Sequence, residues 1–107
     1  GFKVNFFKGK DSLVSTLSAE FAEMRKDENL IIARNNVIFT NFENKKTLKT
    51  EELFWDQQMK RVRTDKRFEI VGEDSRVTGI GVDSDQTFSD YEMHKVTGEY
   101  TVKDTVQ

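Results

Sequence analysis

Few residues in this chain have the types and spacing that catalysis requires. The one histidine, His94, stands in "YEMHKVTG" without an evident serine and aspartate to complete a hydrolytic triad. We expect it to be a solvated strand residue. Glu51 and Glu52 are adjacent, so on a strand they point to opposite faces and cannot flank one scissile bond. The sequence therefore does not favour an enzyme.

Two segments resemble ligand-binding loops without completing them. The run "GIGVDSD" begins like a glycine-rich phosphate loop but lacks the third glycine and a following helix. The run "DSDQTF" starts like a calcium loop, yet Phe88 stands where that loop needs glycine, and no glutamate closes it. The chain has no cysteine, which excludes disulfides, thiol catalysis and cysteine–zinc sites. We expect no metal site and no cofactor.

The composition predicts one β-rich domain over residues 1–107. Hydrophobic residues make up 36% of the chain, against roughly 45–50% in ordinary globular domains. Nine phenylalanines supply much of the apolar volume, which suits two thin sheets better than a helical core. The net charge is −2 and the basic residues are scattered, so nucleic acid is not an expected partner. Because the chain opens with Gly1, we expect that an N-terminal membrane anchor has been removed.

The segment from residue 13 to residue 24 fits both helix and strand. Leu13, Leu17, Phe21 and Met24 follow helical spacing, but much of the same segment also alternates between apolar and polar residues. An internal repeat of about 30 residues favours the strand. It aligns Leu17 with Leu48, and it continues through the pairs Met24/Trp55, Ile31/Val62, Val37/Phe68 and Phe39/Ile70, with a fainter third copy from Val77.

The repeat units contain short alternating runs separated by the turn-like segments "KDEN", "NN", "ENKK", "DQQMK", "GED" and "DSDQ". This pattern predicts about nine or ten strands and no long helix. Side-chain alternation places Trp55 inside and the neighbouring Phe54 outside. The predicted inward surface consists of Leu17, Met24, Ile31, Val37, Phe39, Leu48, Leu53, Trp55, Val62, Phe68, Ile70, Val77 and Val82.

Several runs resemble the periplasmic domain of the lipopolysaccharide export protein family LptC, in its Bacteroidetes type. The most specific are "LKTEELFWD" at Leu48–Asp56 and "GIGVDSD" at Gly79–Asp85, followed by Phe88. The resemblance extends from Phe2 to Val102. It implies an open, twisted β-jellyroll made of two antiparallel sheets, like a folded taco.

The resemblance also implies lipopolysaccharide transport, with acyl chains held in an apolar groove between the sheets. The residues expected to bind lipid are Met24, Ile31, Phe39, Leu53, Trp55, Val62, Phe68, Ile70 and Phe88. Gly79 and Gly81 would permit a bend or a close backbone approach.

Three partners follow from the same resemblance. They are lipopolysaccharide, an inner-membrane LptBFG-type ABC transporter and an LptA-like periplasmic bridge protein. The domain would work in the periplasm, tethered to the inner membrane. The predicted partner edge carries Val96, Gly98, Tyr100 and Val102, and the N-terminal run Phe2–Phe7 is the candidate edge towards the transporter.

Three other interpretations remain open from the residues alone. The inward surface fits an ordinary closed core as well as a groove. The chain also fits an adaptor that joins partners through edge strands and carries no lipid. A carbohydrate-binding jellyroll would instead need exposed rings, which Phe42, Phe54 and Tyr91 could supply.

Overall fold

A computed structural model of the protein describes residues 1–101, which form strands and one short 3-10 turn at Lys26–Glu28. The all-β prediction is confirmed, and the ambiguous segment 13–24 is strand. Over these residues there are eight strands rather than nine or ten, because the "NN" pair lies within one long strand. The strands are β1 (Phe2–Lys8), β2 (Ser12–Ala19), β3 (Phe21–Arg25), β4 (Leu30–Asn41), β5 (Lys46–Asp56), β6 (Arg61–Val71), β7 (Ser75–Asp85) and β8 (Tyr91–Thr101).

All eight strands belong to one antiparallel sheet in the order β1-β2-β4-β5-β6-β7-β8. The short strand β3 continues the line of β2 and pairs with the other half of β4. Within residues 1–101, β1 and β8 remain unpaired on their outer sides, so the sheet is open. This confirms the predicted open jellyroll-like fold, with its two layers formed by a single continuous sheet.

The sheet folds back on itself. Phe39 pairs with Leu48, and Trp55 lies further along the same strand as Leu48. In an extended strand that separation would be roughly 23 Å at about 3.3 Å per residue. The Phe39 and Trp55 rings are instead 4.7 Å apart. The long strands therefore bend in the middle, and their two halves face each other as two layers. The first layer contains residues 2–19, 37–41, 46–50, 67–71, 75–79 and 96–101. The second layer contains residues 21–25, 30–34, 52–56, 61–64, 80–85 and 91–95.

We call the line of bends between the layers the crease. In β4 it is formed by residues that tolerate a left-handed backbone conformation. In β4 the register shifts between Arg34 and Val37, where Asn35 and Asn36 have φ values of 67° and 53°. Asparagine tolerates this left-handed region better than most residues. The Glu20 amide, at the break between β2 and β3, donates to the Asn35 carbonyl at 2.9 Å, and the Asn36 side chain bonds the Glu20 carboxylate.

Two buried threonines complete the crease where β5 and β6 shift register. The hydroxyl of Thr50 donates to the Arg67 carbonyl at 2.9 Å, and that of Thr64 accepts from the Lys66 amide at 3.1 Å. The two hydroxyl oxygens lie 3.3 Å from each other. Backbone groups that the register shift leaves without a ladder partner are thus satisfied inside the protein, where an unpaired polar group would be costly.

The register explains the internal repeat. Leu17 pairs with Phe39, Phe39 with Leu48, and Leu48 with Ile70, so equivalent repeat positions lie in one row across the first layer. A second row crosses the other layer and contains Met24, Ile31, Trp55 and Val62. One repeat is therefore one hairpin, and successive hairpins place their apolar residues side by side.

The predicted inward surface forms the core, except that one of its residues is exposed to solvent. Eleven of the residues named from the sequence belong to the buried cluster, and Val77 packs against it partly buried. Met24 lies on the same face as Ile31, but it is 55% exposed because, within residues 1–101, β3 pairs with β4 and no strand covers its other side. Phe54 lies on the outer face, where the Arg63 guanidinium is 4.5 Å from its ring, as the alternation predicts.

The close packing around Gly79, at the crease, can be tested by substitution. A methyl group there would overlap the Lys95 carbonyl oxygen and lie 2.8 Å from the Phe68 ring. We expect Gly79→Ala to lower the free energy of unfolding by about 1–3 kcal/mol through overpacking. Gly72→Ala is the matched control, because its nearest new contact is the Ser75 hydroxyl at 3.1 Å.

Chemical denaturation measures both variants, and the control should change by less than about 1 kcal/mol. Equal stability of the Gly79→Ala variant and the parent chain would contradict this close packing of β7 on β8.

Candidate functional site

The interior between the layers contains a continuous series of aromatic rings. Trp55 lies 4.0 Å from Phe6 and 4.7 Å from Phe39, measured between ring centroids. Phe39 in turn lies 5.5 Å from Phe88. The four rings come from β1, β5, β4 and the turn after β7, so they join both layers. Trp55 is only 3% exposed, which confirms that it is an interior residue.

Eight of the nine residues predicted to bind lipid lie in this interior, each at most 3% exposed: Ile31, Phe39, Leu53, Trp55, Val62, Phe68, Ile70 and Phe88. They pack against one another and against Leu17, Val37 and Val82. The ninth, Met24, lies at the exposed edge of the same row. The structure thus brings the predicted residues together on one surface, and that surface is closed by protein side chains.

The interior is open at one end, beside Trp55. A pocket of about 400 Å³ lies there, with Phe6, Phe7 and Val14 among its apolar lining and Lys8, Glu43 and Lys60 among its charged lining. Its size falls within the roughly 300–1,000 Å³ of ordinary ligand pockets. Phe7 is 55% exposed, so apolar surface continues from the pocket to the outside. The pocket offers an apolar chain a way towards Trp55.

Residues 86–89, which we call the closing loop, contribute Gln86 and Thr87 to the wall of the pocket. The loop follows β7 in the second layer and is bonded to the first layer. The Asn44 side chain donates to the Thr87 carbonyl and, at 3.0 Å, to the Ser89 hydroxyl. Lys46 donates to the Phe88 carbonyl at 3.2 Å. These bonds hold the far ends of the two layers together.

Asn41 is the buried residue on which the closing loop depends. It is 0% exposed, and its amide nitrogen donates to the Gln86 carbonyl at 3.1 Å and to the Ser15 hydroxyl at 3.3 Å. Its oxygen accepts from the Asn44 amide at 2.8 Å. Gln86 also accepts a bond from the Trp55 indole nitrogen at 3.1 Å. One amide side chain therefore fixes the turn after β4 and the closing loop together.

Asp85 shapes the closing loop from its base. Its carboxylate accepts hydrogen bonds from the Ser89 amide at 2.9 Å and the Thr87 hydroxyl at 3.1 Å. Burial opposes the charged form, but these hydrogen bonds and one from the Asp90 amide outweigh it and lower the pKa of Asp85. The carboxylate that a calcium loop would need is thus turned towards its own backbone, and Asp83 pairs with Arg61 at 2.7 Å.

Sequence reasoning missed Asn41, Gln86 and the inward role of Phe6. Phe6 has a readable signal, because it follows Phe2 and Val4 on alternating positions of β1, and both Phe2 and Phe6 pack against the core. Asn41 continues the inward series of Val37 and Phe39, so a polar residue there could have marked a buried bonding role.

The two outer edges of the sheet are the other candidate interaction surface. In β8, Val96 is 47% exposed and Gly98 pairs with Thr78. The Tyr100 backbone pairs with Arg76, whereas Val102 lies outside the described residues. At the opposite edge, β1 includes Phe2–Phe7, the run predicted to face the transporter. Tyr91, offered as an exposed carbohydrate platform, instead packs partly buried against the core.

Comparisons with known proteins identify a family over almost the whole described chain. A family model described as "Lipopolysaccharide-assembly, LptC-related" matches residues 3–101. A search of curated proteins found no match. Among the residues that the structure describes, no helix has the length and apolar character needed to cross a membrane.

The lowered pKa of Asp85 predicts a pH dependence. Because the folded-state pKa lies below the unfolded one, the carboxylate contributes stability above its unfolded pKa, and this contribution is lost as pH falls through the folded pKa. Asp85→Asn should therefore be less stable than the parent chain at neutral pH, and the difference should shrink in acid. Unfolding free energies measured from neutral to acidic pH test this, and a difference that stays constant across the range would contradict it.

Proposed function

The chain belongs to the LptC-related family of lipopolysaccharide-assembly proteins, as its motifs predicted, and we propose that it holds the lipid's acyl chains between the two layers of its sheet. The family implies a role in lipopolysaccharide transport. The finer proposal is that the domain is a non-enzymatic carrier, which receives the lipid, shelters its acyl chains from water and releases it to the next protein.

The observation that carries this proposal is the continuous apolar interior that reaches a pocket at one end. Moving an acyl chain from water into such an interior gains about 0.8 kcal/mol for each methylene. A carrier of this kind needs an apolar lining and no reactive group. The proposed acyl-chain contacts are Met24, Ile31, Phe39, Leu53, Trp55, Val62, Phe68, Ile70 and Phe88.

Lipid entry requires the two layers to separate. The eight buried members of that set already fill the interior, so an acyl chain must replace contacts between protein side chains. The open edges permit this, since β1 and β8 are not joined to each other within residues 1–101 and the layers are connected through the crease. Replacing one apolar contact by another costs little compared with exposing either to water.

We place the domain in the periplasm, tethered to the inner membrane, between two partners. An inner-membrane LptBFG-type ABC transporter would supply the lipid at the β1 edge, and an LptA-like bridge protein would accept it at the β8 edge. The support is the family and the outer sides of β1 and β8, which pair with no other strand of residues 1–101 and can accept a strand from a neighbour.

A second candidate function is an adaptor that joins the same partners without carrying lipid. The observation that favours it is the two open sheet edges. Replacing Gly98 in β8 by proline removes a backbone donor and should weaken binding to the bridge protein under either function. Trp55→Asp separates them, provided that the purified variant stays folded. Lipid transport would persist in that variant only if the domain is an adaptor.

Photocrosslinking tests the carrier function in cells. A benzoylphenylalanine at Trp55 or Phe68 should crosslink to lipopolysaccharide, because both side chains face the interior. Phe54 is the matched control, since it is adjacent to Trp55 and lies on the outer face under Arg63. Crosslinks from Phe54 equal to those from Trp55, or none from either interior position in folded protein, would contradict the carrier.

A further inference from the structure

The closing loop blocks the interior at the point where the pocket would otherwise continue into it. Gln86 and Thr87 line the pocket of about 400 Å³, and Phe88 lies behind them. The Phe88 side chain is 0% exposed and lies against Phe39, which itself contacts Trp55. A chain that passes Trp55 therefore reaches Phe39 and the Phe88 ring that lies against it.

Phe88 differs from the other interior residues in the element that carries it. The others lie on strands, where hydrogen bonds to neighbouring strands fix their backbone. Phe88 lies in a turn with φ of 59°, a conformation that a bulky side chain adopts rarely. Its amide donates to the nearby Asp85 carbonyl at 3.3 Å, and its carbonyl accepts from the Lys46 side chain, so no strand ladder holds it among the described residues. The ring can therefore leave the interior without disrupting the sheet.

The bonds that hold the closing loop are of a kind that water can replace. The side chains of Asn41, Asn44 and Lys46 reach the loop across the gap between the layers. Trp55 and Asp85 bond the loop from within the second layer. Asn44 and the closing loop lie at the surface, whereas the sheet ladders lie behind them. When the loop moves outward, water can satisfy each group that it releases.

We propose that the closing loop is a displaceable cover and that an entering acyl chain takes the place of the Phe88 ring. This inference rests on the proposed carrier function and adds its regulation. The loop excludes water from the interior when no lipid is bound, and it is displaced when lipid enters. Phe88 is then the acyl-chain contact that is displaced as the lipid enters, whereas the contacts on the strands form a lining that stays in place. The ligand class is an amphipathic lipid with at least one unbranched acyl chain.

A reversible crosslink tests the displacement. Asn44→Cys with Ser89→Cys places two thiols where the native side chains are 3.0 Å apart, in a chain that has no other cysteine. A two-carbon bis-methanethiosulfonate can bridge them, and dithiothreitol removes the bridge. Bridging should lower the affinity for purified lipopolysaccharide at least tenfold, and reduction should restore it.

Thr40→Cys with Thr47→Cys is the matched control. These hydroxyls are 3.4 Å apart on the outer face of β4 and β5, in the hairpin whose turn carries Asn44. Its bridge should leave lipid affinity unchanged. Unchanged affinity in the bridged Asn44/Ser89 pair would overturn the cover while leaving the carrier intact. Absence of lipid binding by the unsubstituted chain would overturn the carrier, and the inference with it.

Phe88→Ala provides an independent test that needs no crosslink. If the lipid replaces the ring, removing the ring should raise lipid affinity several-fold, even though the empty cavity lowers stability. Phe39→Ala makes a comparable cavity in the lining and should lower affinity. A loss of affinity in Phe88→Ala equal to that in Phe39→Ala would show that Phe88 is an ordinary lining residue and would overturn the proposal.

Discussion

The whole structure depends on one constraint: a single antiparallel sheet has to bend across all its long strands at the same level. Only then do two rows of apolar side chains, which alternation aims at one face, meet each other instead of water. Asn35 and Asn36 make the bend in β4, and Thr50 and Thr64 satisfy the backbone around the bend in β5 and β6. A chain with 36% hydrophobic residues can build an interior in this way because one face of the bent sheet lines both sides of it.

The same bend accounts for the functional geometry. Within residues 1–101 the layers are joined along the crease and open at the β1 and β8 edges, so the separation proposed for lipid entry would not require breaking the hydrogen-bond ladders. At the far side from the crease they are connected by side-chain bonds around Asn41 and the closing loop. The fold therefore combines a permanent connection with one that water can replace. That combination suits a protein that must alternately bury and release an apolar ligand, which is the role proposed within the lipopolysaccharide-assembly family.

Alternation and the internal repeat were sufficient to predict the inward surface, including Trp55, because side chains alternate with a period of two along most of each strand. They failed where local geometry departs from that period. "NN" looks like a turn, but both asparagines bend a strand that continues beyond them. Met24 has the right phase and yet is exposed, since exposure depends on a second neighbouring strand that β3 does not have in the described part of the chain. The role of Asn41 and the closing loop arises from contacts between residues more than 40 positions apart, such as Asn41 with Gln86, and these leave no periodic signal.

If acyl chains occupy the interior beside Trp55, the chain's one tryptophan reports their presence directly. The protein would be titrated with lipopolysaccharide whose acyl chains carry bromine, a contact quencher of indole fluorescence, and with the unbrominated lipid as reference. Trp55 emission should fall in proportion to the bound brominated lipid and should not fall with the reference lipid. Saturable binding of the brominated lipid with no loss of Trp55 emission would contradict it, because the lipid would then be bound elsewhere.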